Sequence, residues 1–193
     1  MNTYTFNLKL STEPITDEHF QQLCALNPEL KLETNSQGEL IIMSPTGSNT
    51  GRRNSDLVGQ FWYWNKQSKS GVVFDSSTGF TLPNSAKRSP DVSWITIDRW
   101  HSLTKEEQEG FAPIAPDFVL ELKSPTDSLV TLQKKMEGYI NNGVRLGWLI
   151  NPQSKQVEIY QPGKAKELLE HPNTIANNDI LPGLVVELDA IWE

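Results

Sequence analysis

The chain of 193 residues is short of the residues that most often make a metal or redox centre: it has one cysteine, Cys24, and three histidines, His19, His101 and His171. One cysteine excludes an internal disulfide and a cysteine-rich zinc site, and it fits a reducing, cytoplasmic setting. The histidines stand far apart with no His-x-x-x-His pair or cysteine partner, so zinc spacing is absent. No apolar run approaches the ~18–20 residues of a membrane span, and residues 1–10 lack the basic start and apolar stretch of a secretory leader. No membrane partner is expected. Gly-x-Ser-x-Gly, P-loop and dinucleotide patterns are also missing, which removes the commonest hydrolase elbow and nucleotide cradles. No repeat or Gly/Ser/Pro-rich linker divides the sequence, and a composition of 37% hydrophobic and 21% charged residues is that of a globular protein.

Positive charge is also scarce. The net charge of −7 argues at first against a phosphate-bearing partner, whose binding draws on Lys and Arg. The deficit lies in the flanks. Residues 1–50 hold two basic and six acidic side chains, and residues 146–193 hold three and seven. Between them, residues 51–145 hold twelve basic and eleven acidic. A near-neutral middle leaves room for a phosphate-facing site there, although such asymmetry is also what an ordinary solvated surface gives.

The periodicity predicts helix over residues 17–26, where Phe20, Leu23, Cys24 and Leu26 are the apolar positions, and a hairpin of residues 30–33 and 39–43 around Asn35-Ser36-Gln37-Gly38. A loop from Pro45 to Gly51 leads into a helix over 54–66, with Leu57, Val58, Phe61 and Trp62 on one face. Strands are predicted at 72–75, 79–82, 91–97, 117–124, 146–150, 157–160 and 184–188, and residues 98–110 read as an exposed charged segment. A helix over 129–140 carries Leu129, Leu132, Met136, Tyr139 and Ile140 and stops near Asn142-Gly143. Intermixed helices and strands, with a strand-helix-strand unit at 117–150, indicate a mixed sheet covered by helices.

The chemistry begins in a strand that should be buried. In Asp117-Phe118-Val119-Leu120-Glu121-Leu122-Lys123, alternation sends Phe118, Leu120 and Leu122 one way and Val119, Glu121 and Lys123 the other. A solvated strand face with an incidental Glu/Lys pair is the ordinary reading. Against it stands Ser89-Pro90-Asp91, an aspartate opening another strand thirty positions earlier. If the strands are neighbours, ~4.8 Å apart, Asp91 and Glu121 reach one ion. Asp117 cannot be that partner, because four residues of strand put it ~13 Å from Glu121 while Mg²⁺ needs oxygens at ~2.1 Å.

Pro90-Asp91 followed by Glu121-Leu122-Lys123 resembles the signature of the PD-(D/E)XK nuclease superfamily, the restriction-endonuclease-like fold. The segments Gly38-Glu39-Leu40-Ile41-Ile42-Met43-Ser44-Pro45, Pro116-Asp117-Phe118-Val119-Leu120-Glu121 and Gly147-Trp148-Leu149-Ile150 resemble more narrowly a large bacterial family of restriction-endonuclease-like proteins (DUF820-type). The likeness runs over nearly the whole chain. It implies an α/β fold, a restriction-endonuclease-like mixed sheet flanked by helices. One domain is expected, with an N-terminal helix and hairpin extension (1–45), a nuclease core (50–160) and a C-terminal extension (161–193).

The resemblance also implies hydrolysis of DNA phosphodiester bonds by a Mg²⁺- or Mn²⁺-dependent endonuclease, a homodimer if both strands are cut. Asp91, Glu121 and the backbone carbonyl of Leu122 would bind the ion, and Lys123 would orient or help deprotonate the attacking water. Glu39, Gln133 and Lys135 are accessory candidates, each balanced by a reading as a solvent-facing hairpin or helix residue. Arg52, Arg53 and Asn54 near a helix start, with Lys87 and Arg88 ahead of Asp91, could meet phosphate, or be plain surface. Phe61-Trp62-Tyr63-Trp64 could stack bases, but consecutive helical aromatics diverge, and Phe61 and Trp62 fit core positions. The alternative reading is an inactive nuclease-fold module that binds DNA or a protein. A paired-carboxylate glycosidase is a distant third, since it leaves Lys123 unexplained.

Overall fold

The helical spacing that starts at Asp17 is realised as α1 (Asp17–Leu26) in the computed structural model, which describes residues 15–43 and 45–193. Residues 1–10, read for a leader, and Ser44 of the hairpin segment lie outside the described residues. Thr16 caps α1 by accepting from the His19 N–H at 3.3 Å, and Asp17 and Glu18 complement the positive end of the helix. The hairpin forms as β1 (Lys31–Thr34) and β2 (Leu40–Met43), its turn held by Asn35 Oδ1, which accepts from the Gln37 and Glu39 N–H groups.

Helix α2 (Ser48–Ser68) begins six residues before the expected start. Gly47 is its N-cap and gives no side-chain bond, so the turn-like composition of Ser48-Asn49-Thr50-Gly51 is overridden by packing that buries Thr50. Gly51, Arg52, Arg53 and Asn54 therefore lie inside the helix and not ahead of it. Its buried stripe is Leu57, Phe61 and Trp64. Trp62 was expected beside Phe61 in the core, but it points to solvent, 54% exposed, one residue off the stripe and beneath Lys66 Nζ at 4.6 Å.

The chain continues as β3 (Gly71–Asp75), β4 (Phe80–Thr81), β5 (Lys87–Arg88), β6 (Val92–Thr96), α3 (Ile97–His101), α4 (Lys105–Glu109), β7 (Phe118–Leu122) and α5 (Leu129–Asn141). Then come β8 (Leu146–Asn151), β9 (Gln156–Tyr160), β10 (Glu167–Glu170), β11 (Thr174–Ala176), β12 (Val185–Glu187) and α6 (Asp189–Trp192). The main sheet has the order β10-β9-β8-β7-β6-β3, with β7 and β8 parallel through α5 and the other pairs antiparallel. A second sheet has the order β2-β1-β5-β4, and β11 pairs with β12. This is the expected mixed sheet flanked by helices. Among the described residues no helix is long and apolar enough to cross a membrane.

Alternation along β7 divides the core. Phe118, Leu120 and Leu122 join Leu57, Phe61, Trp94 and Trp148 beneath α2, a layer that also takes in Leu188 and Ile191 from the C-terminal segment. Phe118 sits 5.0 Å from the Phe61 ring and 4.9 Å from Trp148, so truncating it to alanine would cost about 3–5 kcal/mol. Val119 and Leu149 face the opposite side and pack on Met136 and Tyr139 of α5. Gly147 allows that close approach, because a Cβ there would lie 2.5 Å from Met136 Cε. Gly143, at φ +98°, ends α5 in the left-handed conformation expected of it.

Candidate active site

The register of β6 on β7 pairs Val92 with Leu120 and Ser93 with Val119, so the next step outward sets Asp91 across from Glu121. Glu121 lies with Val119 on the face beneath α5. Asp91 is fixed from two elements: its Oδ2 accepts from the Leu122 N–H at 2.8 Å, and its Oδ1 from Asn54 Nδ2 of α2 at 3.3 Å.

Glu121 is buried, and the donors that reach it among the described residues both end on Oε1: Tyr139 OH at 2.8 Å and Lys135 Nζ at 2.9 Å. Lys135 and Tyr139 are one turn apart on α5, so one helix face delivers both. The same ammonium lies 3.0 Å from Oε1 of Glu33, a buried residue of β1. Glu33 Oε1 also accepts from the Ser89 N–H at 2.9 Å, and Oε2 from Arg88 at 3.1 Å. Glu33 thus ties the second sheet to the Ser89-Pro90-Asp91 entry into β6.

Burial pushes the Glu121 carboxyl up from 4.5 to about 7; Lys135 opposes that rise, and the Asp91 and Glu33 charges add to it. Burial would also raise Glu33, but Lys135, the Ser89 N–H and Arg88 together hold it below the usual range. Desolvation would lower Lys135, yet the two glutamates keep its proton bound more tightly than on a free lysine. Burial, then the charges of Glu121 and Glu33, raise the Tyr139 phenol well above its ordinary value.

Lys123 lies on the Glu121 face, but its ammonium donates to Ser124 O at 3.0 Å and Gln153 Oε1 at 2.7 Å, and the cation on Glu121 is Lys135. Lys135, Arg88 and Asn54 are therefore joined to the carboxylate cluster. Other candidates point elsewhere. Glu39 is exposed and takes Asn35 Nδ2, Gln133 donates to Glu158 at 2.7 Å, Arg52 to Ala190 O at 3.0 Å, and Lys87 pairs with Asp17. Arg53 is half-buried, with no partner for its Nε among the described residues. Asp117 is wholly buried between Arg99 at 3.0 Å and Arg145 at 3.3 Å, and accepts from the Thr96 N–H, which makes it a structural anchor of the strand start.

Glu33 and Tyr139 are the residues that sequence reasoning passed over. Glu33 carried the sign that singled out Glu121, a carboxylate in a strand beside an apolar neighbour, but a hairpin strand suggests a solvated face. Tyr139 was assigned to the core by its helical spacing, which is where it sits; its hydroxyl does the rest. Among the described residues no three side chains of His, Cys, Asp and Glu form a ready-made cage. The donor set still suits Mg²⁺ or Mn²⁺, hard cations that take few protein oxygens and keep water. The register puts Asp91 and Glu121 at opposed positions of a strand pair, and a divalent ion there would hold ionised a Glu121 carboxyl that burial first, and the Asp91 and Glu33 charges after it, push toward the neutral form.

No curated protein matches the chain. Among solved structures, the chain is similar to the crystal structure of a "putative nuclease belonging to DUF820" from Anabaena variabilis ATCC 29413. The two are 23% identical, the match covers 93% of this chain and 98% of that one, and the TM-score of 0.76 establishes a shared fold. Residues 17–190 match the Uma2 family, described as "Putative restriction endonuclease", and the chain belongs to that family.

Proposed function

We propose that this protein is a divalent-metal-dependent endonuclease that hydrolyses DNA phosphodiester bonds at Asp91, Glu121 and Lys123. The observation that carries the reading is the register of β6 on β7, whose next step sets Asp91 across from Glu121, with Asp91 bonded to the N–H of Leu122, the residue after Glu121. Asp91, Glu121 and the Leu122 carbonyl would hold Mg²⁺ or Mn²⁺. A bound ion of this kind lowers the pKa of its water and neutralises charge developing on the phosphate. Tyr139 and Lys135 fix the Glu121 carboxylate by its Oε1 atom. Lys123, whose ammonium rests on neutral oxygens, is available to orient the attacking water and to add positive charge beside the reacting phosphate.

Charge follows the same reading. Asp91, Glu121 and Lys123 together carry −1, which a divalent ion turns to +1, so DNA binding would be weak, salt-sensitive and metal-dependent. Cutting both strands calls for two such sites and hence a homodimer, and a chain with one cysteine suits the cytoplasm.

Cleavage of supercoiled plasmid in Mg²⁺ or Mn²⁺ tests the reading. Wild type should nick or linearise the plasmid, and Asp91→Ala and Lys123→Ala should lose on the order of 10³-fold or more in rate. Equal cleavage by the variants would contradict it, and metal binding without cleavage by wild type would favour a non-catalytic module.

A further inference from the structure

Lys123 and Lys135 both lie on the Glu121 side of the main sheet, and they are used differently. Lys123 ends on a carbonyl and a glutamine oxygen. Lys135 lies between carboxylates, 2.9 Å from Glu121 Oε1 and 3.0 Å from Glu33 Oε1, and its side chain is 12% exposed, against 5% and 2% for its partners. An ammonium seated on one oxygen from each of two buried carboxylates occupies the place that a second cation would take in a site built for a pair of ions.

We infer that Lys135 is a built-in second cation, and that its ammonium, bridging Glu33 and Glu121, restricts the site to a single divalent ion. The inference rests on the metal-dependent reading above. Its geometry assigns the two oxygens of Glu121 separate duties. Oε1 takes Lys135 and the Tyr139 hydroxyl, which leaves Oε2 for an ion shared with Asp91. Charge points the same way: Glu33, Asp91 and Glu121 with Arg88, Lys123 and Lys135 sum to zero, one divalent ion brings this to +2, and a second would bring it to +4. Arg88 on Glu33 Oε2 and the Ser89 N–H on Oε1 hold Glu33 toward the lysine, so that Glu33 is a positioning residue acting through Lys135.

The test counts ions directly. Titration calorimetry with Mn²⁺ on the full chain should give one ion for wild type and for Lys135→Arg, which keeps the charge. Lys135→Met keeps the aliphatic stem and removes the ammonium; it should bind two, with the spin-coupled electron paramagnetic resonance spectrum of an adjacent Mn²⁺ pair. Adding Glu33→Gln to Lys135→Met should return the count to one. Two ions in wild type, or one ion in a folded Lys135→Met, overturns the inference and leaves the nuclease reading standing. No Mn²⁺ bound to wild type overturns the metal-dependent reading, and the inference falls with it. Should Lys135→Met fail to fold, the counts for wild type and Lys135→Arg still decide: one supports the inference and two overturns it.

Discussion

Glu121 of β7 and Glu158 of β9 lie on the same face of the main sheet, both in register with Leu149 of the strand between them. Each has a tyrosine hydroxyl, a lysine and contact with α5. Glu121 has Tyr139 and Lys135; Glu158 has Tyr160, Lys166 at 3.0 Å and Gln133 at 2.7 Å. Their acidities part company. Burial drives Glu121 up to about 7, with Asp91 and Glu33 adding to the rise. For Glu158 burial acts in the same direction but loses to the Tyr160, Lys166 and Gln133 donors, which hold it below the usual value. Gln133, Tyr160 and Lys166 line an open cavity of about 410 Å³, and Lys166 is 39% exposed. The same kinds of residue thus make an ordinary ion pair where a single carboxylate meets a partly exposed lysine. Around Glu121, where burial dominates and the Asp91 and Glu33 charges add to it, the same kinds of residue leave a carboxyl pushed toward its neutral form.

Truncating the two clusters should separate them most. Glu33→Ala leaves Arg88 without its carboxylate and takes one of two from Lys135 inside the protein, and should destabilise by about 3–5 kcal/mol. Glu158→Ala removes a pair whose lysine is partly solvated and should cost roughly 1 kcal/mol. Urea denaturation of both variants checks this, and equal losses would erase the contrast.

The pH dependence should run in opposite directions. Between pH 4.5 and about 7 the folded protein keeps a proton on Glu121 that the unfolded chain has released, so this group's contribution to stability falls as pH rises through the window. The fall is on the order of 3 kcal/mol, and Glu121→Gln should abolish it. Glu158, with its acidity strengthened, contributes stability that is lost as pH falls through its lowered value, so Glu158→Gln should flatten the acid limb instead. Denaturation midpoints measured from pH 3 to 8 would show the two slopes, or their absence.

The smallest effect is the most discriminating for function. Tyr139→Phe and Tyr160→Phe each remove one of several donors from a glutamate and should cost about 0.5–1 kcal/mol in stability. Plasmid cleavage should drop roughly 10-fold for Tyr139→Phe, which loosens Glu121, and stay unchanged for Tyr160→Phe.

Much of this frame was legible in the sequence because periodicity reports burial. The span of α1 was read to the residue, and β7, α5, β8 and β9 to within two residues. Elements too short for a period to register were not: β5 has two residues, α6 four, and β10 is the edge strand Glu-Leu-Leu-Glu. For the site, alternation put Glu121 and Lys123 on one face, and the Pro-Asp position proposed Asp91 as the neighbour. Which lysine holds Glu121 could not be read, because that depends on the approach of α5 over Gly147. Glu33 was hidden because its burial arises only when the second sheet meets the first through Ser89.

Titration of Mg²⁺ into wild type, Asp91→Ala and Glu121→Gln, followed by calorimetry near pH 8 where Glu121 is ionised, tests the central claim most directly. The account predicts saturable binding to wild type and its loss in both variants while they remain folded. Binding that persists unchanged without Asp91 and without Glu121, or none to wild type, would contradict it.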